Sequence, residues 1–445
     1  MTSRPPVHLP VEIKTRELDG TLLLACVLAE RGRRVLVGAR HHLKHRFGRS
    51  VYLGRTVTAS VATIYRRKRD VGNLVVALDE EGLVIYSREI YRARRLGRET
   101  VRIPHALFAW GEASAELWRE ELGDGARTVH VTGNPRFDLL RAPLREIYRP
   151  EAERLRRRFG RYLLFNSNFH WVNTRHKAYT RLPDPEDVAS GRFPMPPFYN
   201  PDLARHRIAL FRAYLEALPR LARAFPDLHL VIRPHPAEDP EPWRRATADL
   251  ANVTVLYEGE VTPWILGSVA VLHHSCTTAV ESFVLERPVL CYRPLVDEAL
   301  DPELPIRLSL EAHDPDALVA GLRRLLAGGD AAGRAAREAH LRRHLEAVTG
   351  PLAADRIAGV IDALDPPPPP PARRLRAALW FGKKRLRAFR RRFRHKPFAD
   401  LFPPTPVAEI EARIRAFGEL LGRFEGVRVT ELATNLYRIE RHVRP

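Results

Sequence analysis

Leu228-His229-Leu230-Val231-Ile232 runs directly into Arg233-Pro234-His235-Pro236, and this junction decides the fold. A short apolar run closed by turn residues reads as a buried strand. Two prolines stop sheet and helix alike, so His235 is predicted on a rigid turn just past the strand's carboxyl end. Val269-Ala270-Val271-Leu272-His273 reads as a second such strand. It passes into polar His274-Ser275-Cys276-Thr277-Thr278 and then into a stretch of helical character, Ala279-Val280-Glu281-Ser282-Phe283-Val284-Leu285. Pro288-Val289-Leu290-Cys291-Tyr292 is a third strand. Strand, polar turn, helix and strand is the pattern of a parallel sheet, and open α/β sheets bind ligands outside the carboxyl ends of their strands.

The second turn suits an anion. A helix beginning near Thr277 points free N–H groups and a positive dipole end outward. Ser275, Thr277 and Thr278 add hydroxyl donors, His274 lies beside them, and Glu281 is placed to accept from a ribose diol. Arg233 and His235 bring donor character from the neighbouring loop. Read singly, these residues are ordinary caps and a common His-Pro dipeptide. Their convergence on adjacent strand ends is what marks a nucleotide site.

Upstream, Tyr162-Leu163-Leu164-Phe165 opens the same sheet and delivers Asn166 and Ser167 to its carboxyl edge. Residues 171–201 are polar and proline-rich without a clear period, which reads as a long loop or lid. A helix over 203–225 feeds the strand at Leu228. Earlier still, Val7–Ile13, Val35–Val37, Val51–Leu53, Leu74–Leu78, Leu107–Trp110 and Thr128–Val131 alternate with helical segments. They form a first α/β domain over 1–150, with 151–365 as the second. The first βα turn lacks a Gly-x-Gly-x-x-Gly fingerprint, which argues against NAD. Its charged residues, Lys14, Arg16 and Asp19 among them, form either a solvated loop with Asp19 as N-cap or the ligand edge of the sheet. Asp79-Glu80-Glu81-Gly82 ends a strand with three carboxylates. Mutual repulsion there can raise a pKa and make a general base. The competing reading is a turn in which Gly82 supplies a positive φ.

Downstream, Pro366 to Pro371 is an unbroken proline run, expected as a stiff spacer. Beyond it, 372–445 reads as a basic amphipathic helical extension. Leu375, Leu379, Leu386, Phe389 and Phe393 share one helical face. Residues 372–396 carry twelve Lys or Arg and no Asp or Glu, and removing them takes the net charge from +20 to +8. Such a stripe among cations suits an anionic membrane surface, or nonspecific RNA, or packing back on the protein. No apolar run reaches the roughly 18 residues that span a bilayer. Three cysteines without metal or disulfide spacing point to a reducing compartment, and Met1 to Pro10 reads as no signal peptide. The 445-residue chain is 45% hydrophobic, as a globular α/β protein is.

With Pro10-Val11-Glu12-Ile13-Lys14 through Asp19, Asp79-Glu80-Glu81-Gly82-Leu83-Val84, Thr132-Gly133-Asn134-Pro135-Arg136-Phe137-Asp138, Leu164-Phe165-Asn166-Ser167-Asn168-Phe169, Arg233-Pro234-His235-Pro236 and His274-Ser275-Cys276-Thr277-Thr278 together, the chain resembles bacterial surface carbohydrate biosynthesis proteins. The same arrangement is similar to GT-B fold sialyltransferases and polysialyltransferases. Glu80-Glu81-Gly82, His235-Pro236 and Thr277-Thr278 match their acidic-acidic-Gly, His-Pro and Ser/Thr-pair motifs in type and order. The resemblance implies two Rossmann-like domains facing across a cleft. It implies a carboxylate base, Glu81 or Glu80, with His235 and the hydroxyls on a CMP phosphate. CDP-glycerol glycerophosphotransferases also look similar, through Gly133-Asn134-Pro135-Arg136 and Arg233-Pro234-His235-Pro236. Asp79 and the C-terminal extension depart from the sialyltransferase pattern and leave the sugar open.

The expectation is a glycosyltransferase of surface polysaccharide, moving a sugar from a nucleotide donor to a glycan or lipid-linked acceptor. It needs no cofactor and no metal, recognises no specific nucleic acid, and works in the cytoplasm at the inner face of the membrane. A CDP-alditol phosphotransferase is the same-fold rival, and a non-catalytic basic scaffold on membrane or nucleic acid is the rival of another class.

Overall fold

The computed structural model describes residues 4–46, 48–175, 186, 190, 201–329, 333–364, 370–391 and 401–442. Most of the expected lid and of the proline spacer lies outside the described residues. The chain divides into two compact units. Unit 1 holds residues 1–83, 95–147 and 342–445, and unit 2 holds 84–94 and 148–341.

Unit 1 is built on β1 (Val7–Val11), β2 (Val35–Ala39), β3 (Val51–Gly54), β4 (Leu74–Leu78), β5 (Ala106–Ala109) and β6 (Val129–Val131), all parallel. Their order is β2-β1-β3-β4-β5-β6. β1 to β5 are buried throughout, which is why they read as apolar runs rather than alternating ones. The chain steps from β1 to β2 on one side and then crosses to β3 on the other, so the strand order reverses between β1 and β3. The helix Lys14–Glu30 starts immediately after β1. Asp19 therefore lies inside this helix and is not its N-cap. The open N–H of Glu12 is met instead by the buried Glu17 carboxylate at 2.8 Å. Gly32 follows the helix at φ +78°.

Unit 2 carries β7 (Tyr162–Asn166), β8 (His229–Arg233), β9 (Val253–Val255), β10 (Ala270–His273), β11 (Val289–Tyr292) and β12 (Leu310–Ala312), again all parallel. The order is β12-β11-β10-β7-β8-β9, which reverses between β7 and β10. The helix Pro201–Ala224 covers this sheet with Leu203, Ile208, Phe211, Tyr214 and Leu218, against Phe165, Leu230, Ile232 and Trp243. Each large apolar side chain so buried contributes about 1.5–3 kcal/mol. Tyr214 also pins two strand ends, its hydroxyl donating to the carbonyls of His273 at 2.6 Å and Tyr292 at 2.8 Å.

The C-terminal region differs most from expectation. Residues 342–364 and the 370–442 region belong to unit 1, rather than to the second domain and a separate helical extension. After the helices Pro371–Arg391 and Val407–Leu421, β13 (Val427–Ala433) and β14 (Leu436–Arg441) form a hairpin. β14 pairs antiparallel with β2, which makes the unit 1 sheet eight-stranded. Gly38 on β2 permits this approach, since a Cβ there would lie 2.5 Å from the Asn435 carbonyl oxygen. The helix Val407–Leu421 buries Ile410, Ile414 and Phe417 and bridges to the helix Lys14–Glu30 through Lys14–Glu409 at 2.7 Å and Asp19–Arg413 at 3.0 Å.

Candidate functional site

Unit 2 gathers polar groups at the reversal of strand order. The register sets Asn166 opposite Arg233 and Phe165 opposite Leu272, so β7, β8 and β10 deliver their next residues at one level. Asn166 is 5% exposed, and neither its amide nitrogen nor its amide oxygen has a hydrogen-bond partner among the described residues. A buried donor or acceptor left unmet costs about 1–3 kcal/mol. Arg233 is buried across from it, its guanidinium over the Tyr257 ring at 4.3 Å and donating to the Gly259 carbonyl at 2.6 Å. Its Nε has no partner among the described residues. His235 stays half-buried on its proline-flanked turn, stacked on His170 at 4.4 Å. Its Nδ1 accepts from the Ala237 N–H at 3.2 Å, so a neutral ring carries its proton on Nε2.

One side chain fixes this edge, and the sequence reading passed over it. Glu238 is fully buried between the loops that follow β7 and β8. It accepts from Ser167 Oγ at 2.6 Å, the Phe169 N–H at 2.7 Å, Trp243 Nε1 at 3.2 Å, the His235 N–H at 3.3 Å and Asn173 Nδ2 at 3.4 Å. Burial pushes its carboxyl up, while the Ser167 and Phe169 hydrogen bonds hold it down. Ser167, expected on the donor, is thus turned towards Glu238. Glu238 stands three residues after His235 in a polar stretch, and nothing in its spacing separates it from a solvated acid.

The helix Thr277–Val284 opens with Cys276, whose side chain makes no capping bond. Thr277 and Thr278 remain half-buried at that end, and Thr278 Oγ1 meets Cys276 Sγ at 2.6 Å. Glu281 is buried one turn in, and its charge acts on Arg233. His274 and Ser275 point to the interior. The His274 ring sits 4.1 Å from Phe169, and burial, with the charge of Arg207 beside it, drives its pKa well below the ordinary value. It is a neutral packing group. Ser275 Oγ accepts from Arg207 at 2.7 Å, and Arg207 also reaches the Tyr86 hydroxyl at 2.8 Å.

Unit 1 carries a second polar edge of different character. After β4, the Gly82 N–H returns to the Asp79 carbonyl at 3.0 Å. Gly82 does not take a positive φ. Its lack of a side chain matters because a Cβ would sit 3.2 Å from Asp79 Cβ. Asp79 is fully buried and grips Arg95 with both oxygens. Burial pushes its carboxyl up, against the Arg95 hydrogen bonds and charge, and the neighbouring Glu81 pushes the same way. The raised carboxyl is therefore the one sealed inside, and burial does more to raise it than its acidic neighbour. Glu80 is buried too, held by Arg55 and by Asn134 Nδ2 at 3.2 Å. Glu81 projects with its side chain 54% exposed, between Arg16 at 3.1 Å and Arg95 at 3.0 Å. Arg16 also pairs with Glu17 at 2.8 Å. Arg16 thus joins the acidic turn, whereas Lys14 and Asp19 are taken by the helix Val407–Leu421.

No protein-family profile matches the chain, and no curated protein matches its sequence. Its structure is similar to UDP-GlcNAc 2-epimerase from Neisseria meningitidis bound to UDP-GlcNAc, at 16% identity over 80% of this chain and 82% of that one, with a TM-score of 0.44. It is similar to S. aureus MnaA with UDP, at 14% identity over 82% and 100% of the two chains, TM-score 0.47. It is also similar to the wall teichoic acid polymerase TagF, at 12% identity over 72% and 74%, TM-score 0.43.

The segment Thr132–Asp138 is a structural hub. Gly133, at φ +78°, leaves no room for a side chain, because a Cβ would meet the Glu346 carbonyl oxygen at 2.6 Å. Asn134 caps its own short helix at Arg136 N and reaches back to Glu80. Phe137 meets Trp110 edge-on at 5.4 Å. Asp138 is buried and accepts the N–H groups of Ala353 at 2.8 Å and Ala354 at 2.9 Å, capping a helix that begins more than two hundred residues later. Burial lifts its carboxyl to about 7. Among the described residues no group of three His, Cys, Asp or Glu is arranged to hold a metal ion.

Proposed function

We propose that the chain is an enzyme that takes a nucleotide-activated sugar at the carboxyl edge of the unit 2 sheet and passes the sugar to a glycan or lipid-linked acceptor of a bacterial surface polymer. The observation that carries this reading is the pair of incompletely satisfied groups at the strand reversal, the Asn166 amide and Arg233 Nε. They stand beside the start of the helix Thr277–Val284, where the Cys276 side chain makes no capping bond. Fixed donors at such an edge match the phosphate and sugar oxygens of a nucleotide. Arg233 and His235 Nε2–H are assigned to the phosphate, Thr277 and Thr278 to the same anion, and Glu281 to the ribose.

In the transfer, the bond between the sugar's anomeric carbon and the phosphate oxygen breaks, and a bond from that carbon to an acceptor hydroxyl oxygen forms. The electron pair of the broken bond leaves on the phosphate, where fixed positive charge stabilises it. The hydroxyl proton goes to a general base. Glu81 is assigned this role over Glu80, because its carboxylate is the exposed one of the two. A CMP-activated acidic sugar is the finer form of the reading.

Isothermal titration of the full chain with CMP, UDP and CDP-glycerol tests it. Binding of one nucleotide, weakened in Arg233→Met and Asn166→Ala, is the expected result. Absence of binding to all three would overturn it and favour a non-catalytic scaffold. Release of glycerol phosphate from CDP-glycerol to an acceptor would move the assignment to alditol-phosphate transfer.

A further inference from the structure

The helix Pro371–Arg391 has two apolar faces, and the structure uses one of them. Ala377 and Phe381, one turn apart, are fully buried on unit 1. Phe381 lies beneath the buried Lys68, whose Nζ is 5.5 Å from its ring and donates to the Leu43 carbonyl at 3.0 Å. Trp380, next in line, meets His45 at 6.1 Å. Leu375 and Leu379 stand on the opposite face and remain 64% and 59% exposed. The helix therefore does not fold its leucine stripe back onto the protein at these positions. It presents that stripe outward while Phe381 fastens it from behind.

Charge identifies the occupant of the outward face. The helix carries nine Lys or Arg and no Asp or Glu, and Arg373, Arg374, Arg376 and Lys383 are exposed around the two leucines. Cations flanking an apolar strip match the headgroup and acyl boundary of an anionic bilayer. A polyphosphate such as RNA would use the cations and leave the leucines in water. No helix among the described residues is long and apolar enough to cross a membrane, so the contact is a shallow one. We infer that the helix Pro371–Arg391 seats unit 1 on an anionic lipid surface through Leu375 and Leu379, with Phe381 fixing the orientation. This inference is independent of the nucleotide reading.

The test is flotation of the full chain with phosphatidylcholine vesicles, with and without phosphatidylglycerol. Ending the chain before the helix is no substitute, since it would strip β14 from β2. Wild type should float with the anionic vesicles and be released by salt. The double variant L375S/L379S should partition at least about tenfold more weakly, with an unchanged thermal midpoint because both residues are exposed. Equal flotation of wild type and double variant would overturn the inference, as would equal binding to neutral and anionic vesicles. Tight binding of homopolymer RNA by both proteins, with no flotation of either, would overturn it as well.

Discussion

The carboxyl edges of the two sheets are built alike and filled differently. In unit 1, Glu17, Asp79, Glu80 and Glu81 interleave with Arg16, Arg55, Arg95 and Arg136, each carboxylate within reach of a guanidinium. Most of that edge is answered from within. In unit 2, Asn166 and Arg233 Nε are buried without partners among the described residues, and the fully buried carboxylate of Glu238 holds the loops. Charge density alone would select the unit 1 edge as the binding site. The proposed nucleotide site in unit 2 follows unmet hydrogen-bonding capacity instead, because a saturated ion-pair network has little to offer a ligand.

The comparison breaks most easily at Glu81. Glu81→Gln should lower transfer by about 10²–10⁴-fold, the usual scale for losing a general base, while nucleotide titrations stay as in wild type. Full turnover in that variant would reduce the acidic turn to scaffolding.

Stability against pH probes the hub below that edge. Asp138 rises from an ordinary 3.8 to about 7 in the folded state. A raised acid keeps its full contribution below pH 3.8 and loses it as pH climbs through about 7. The linked change is on the order of 4 kcal/mol. Urea midpoints of wild type should fall across that window, and Asp138→Asn should flatten the slope. An equal slope in both proteins would place the titration elsewhere.

In unit 2, Glu238→Ala strands the Ser167, Phe169, Asn173 and Trp243 donors. It should cost about 3 kcal/mol or more, read from the denaturant midpoint, and loosen nucleotide binding with it. Arg233→Met and His235→Ala should each weaken the nucleotide by about 1.5–3 kcal/mol, with little change in stability for His235→Ala and a loss of about 1–3 kcal/mol for Arg233→Met, which gives up the hydrogen bond to the Gly259 carbonyl. Calorimetry showing wild-type affinity in both would remove the unit 2 edge from contention. The smallest effect is expected at Gly82. With no positive φ to satisfy, Gly82→Ala should change stability by about 1 kcal/mol or less, read as a small shift of the thermal midpoint. A large loss would restore the view that this turn needs glycine for its backbone.

These contrasts show which parts of the molecule the sequence could reveal. β4, β7, β8 and β10 were legible because both their faces are buried, so each is an apolar run. β13 was not, since all seven of its residues are exposed or only half-buried. Its signal was a polar alternation ending at Asn435, which takes φ +59° in the turn. His235 and His274 follow β8 and β10, the two strands that flank β7, and look equivalent in sequence. The prolines flanking His235 keep it at the surface of the edge, whereas Phe169, contributed by another loop, draws His274 into the core. Asp138 and Glu238 were invisible because most of their donors are distant in sequence. A buried carboxylate satisfied by remote N–H groups leaves no local pattern.

The β14–β2 pairing has a consequence for synthesis on the ribosome. Unit 2 draws nearly all of its residues from one continuous stretch, 148–341, and can close once that stretch has emerged. Unit 1 cannot complete its sheet on the same schedule. β2 is made early and waits with an unpaired edge until residues 436–441 arrive, and an open strand edge invites pairing with other chains. A nascent chain arrested after unit 2 should therefore expose β2 to chaperones or to its neighbours, and release of the C-terminal hairpin is the event that closes it.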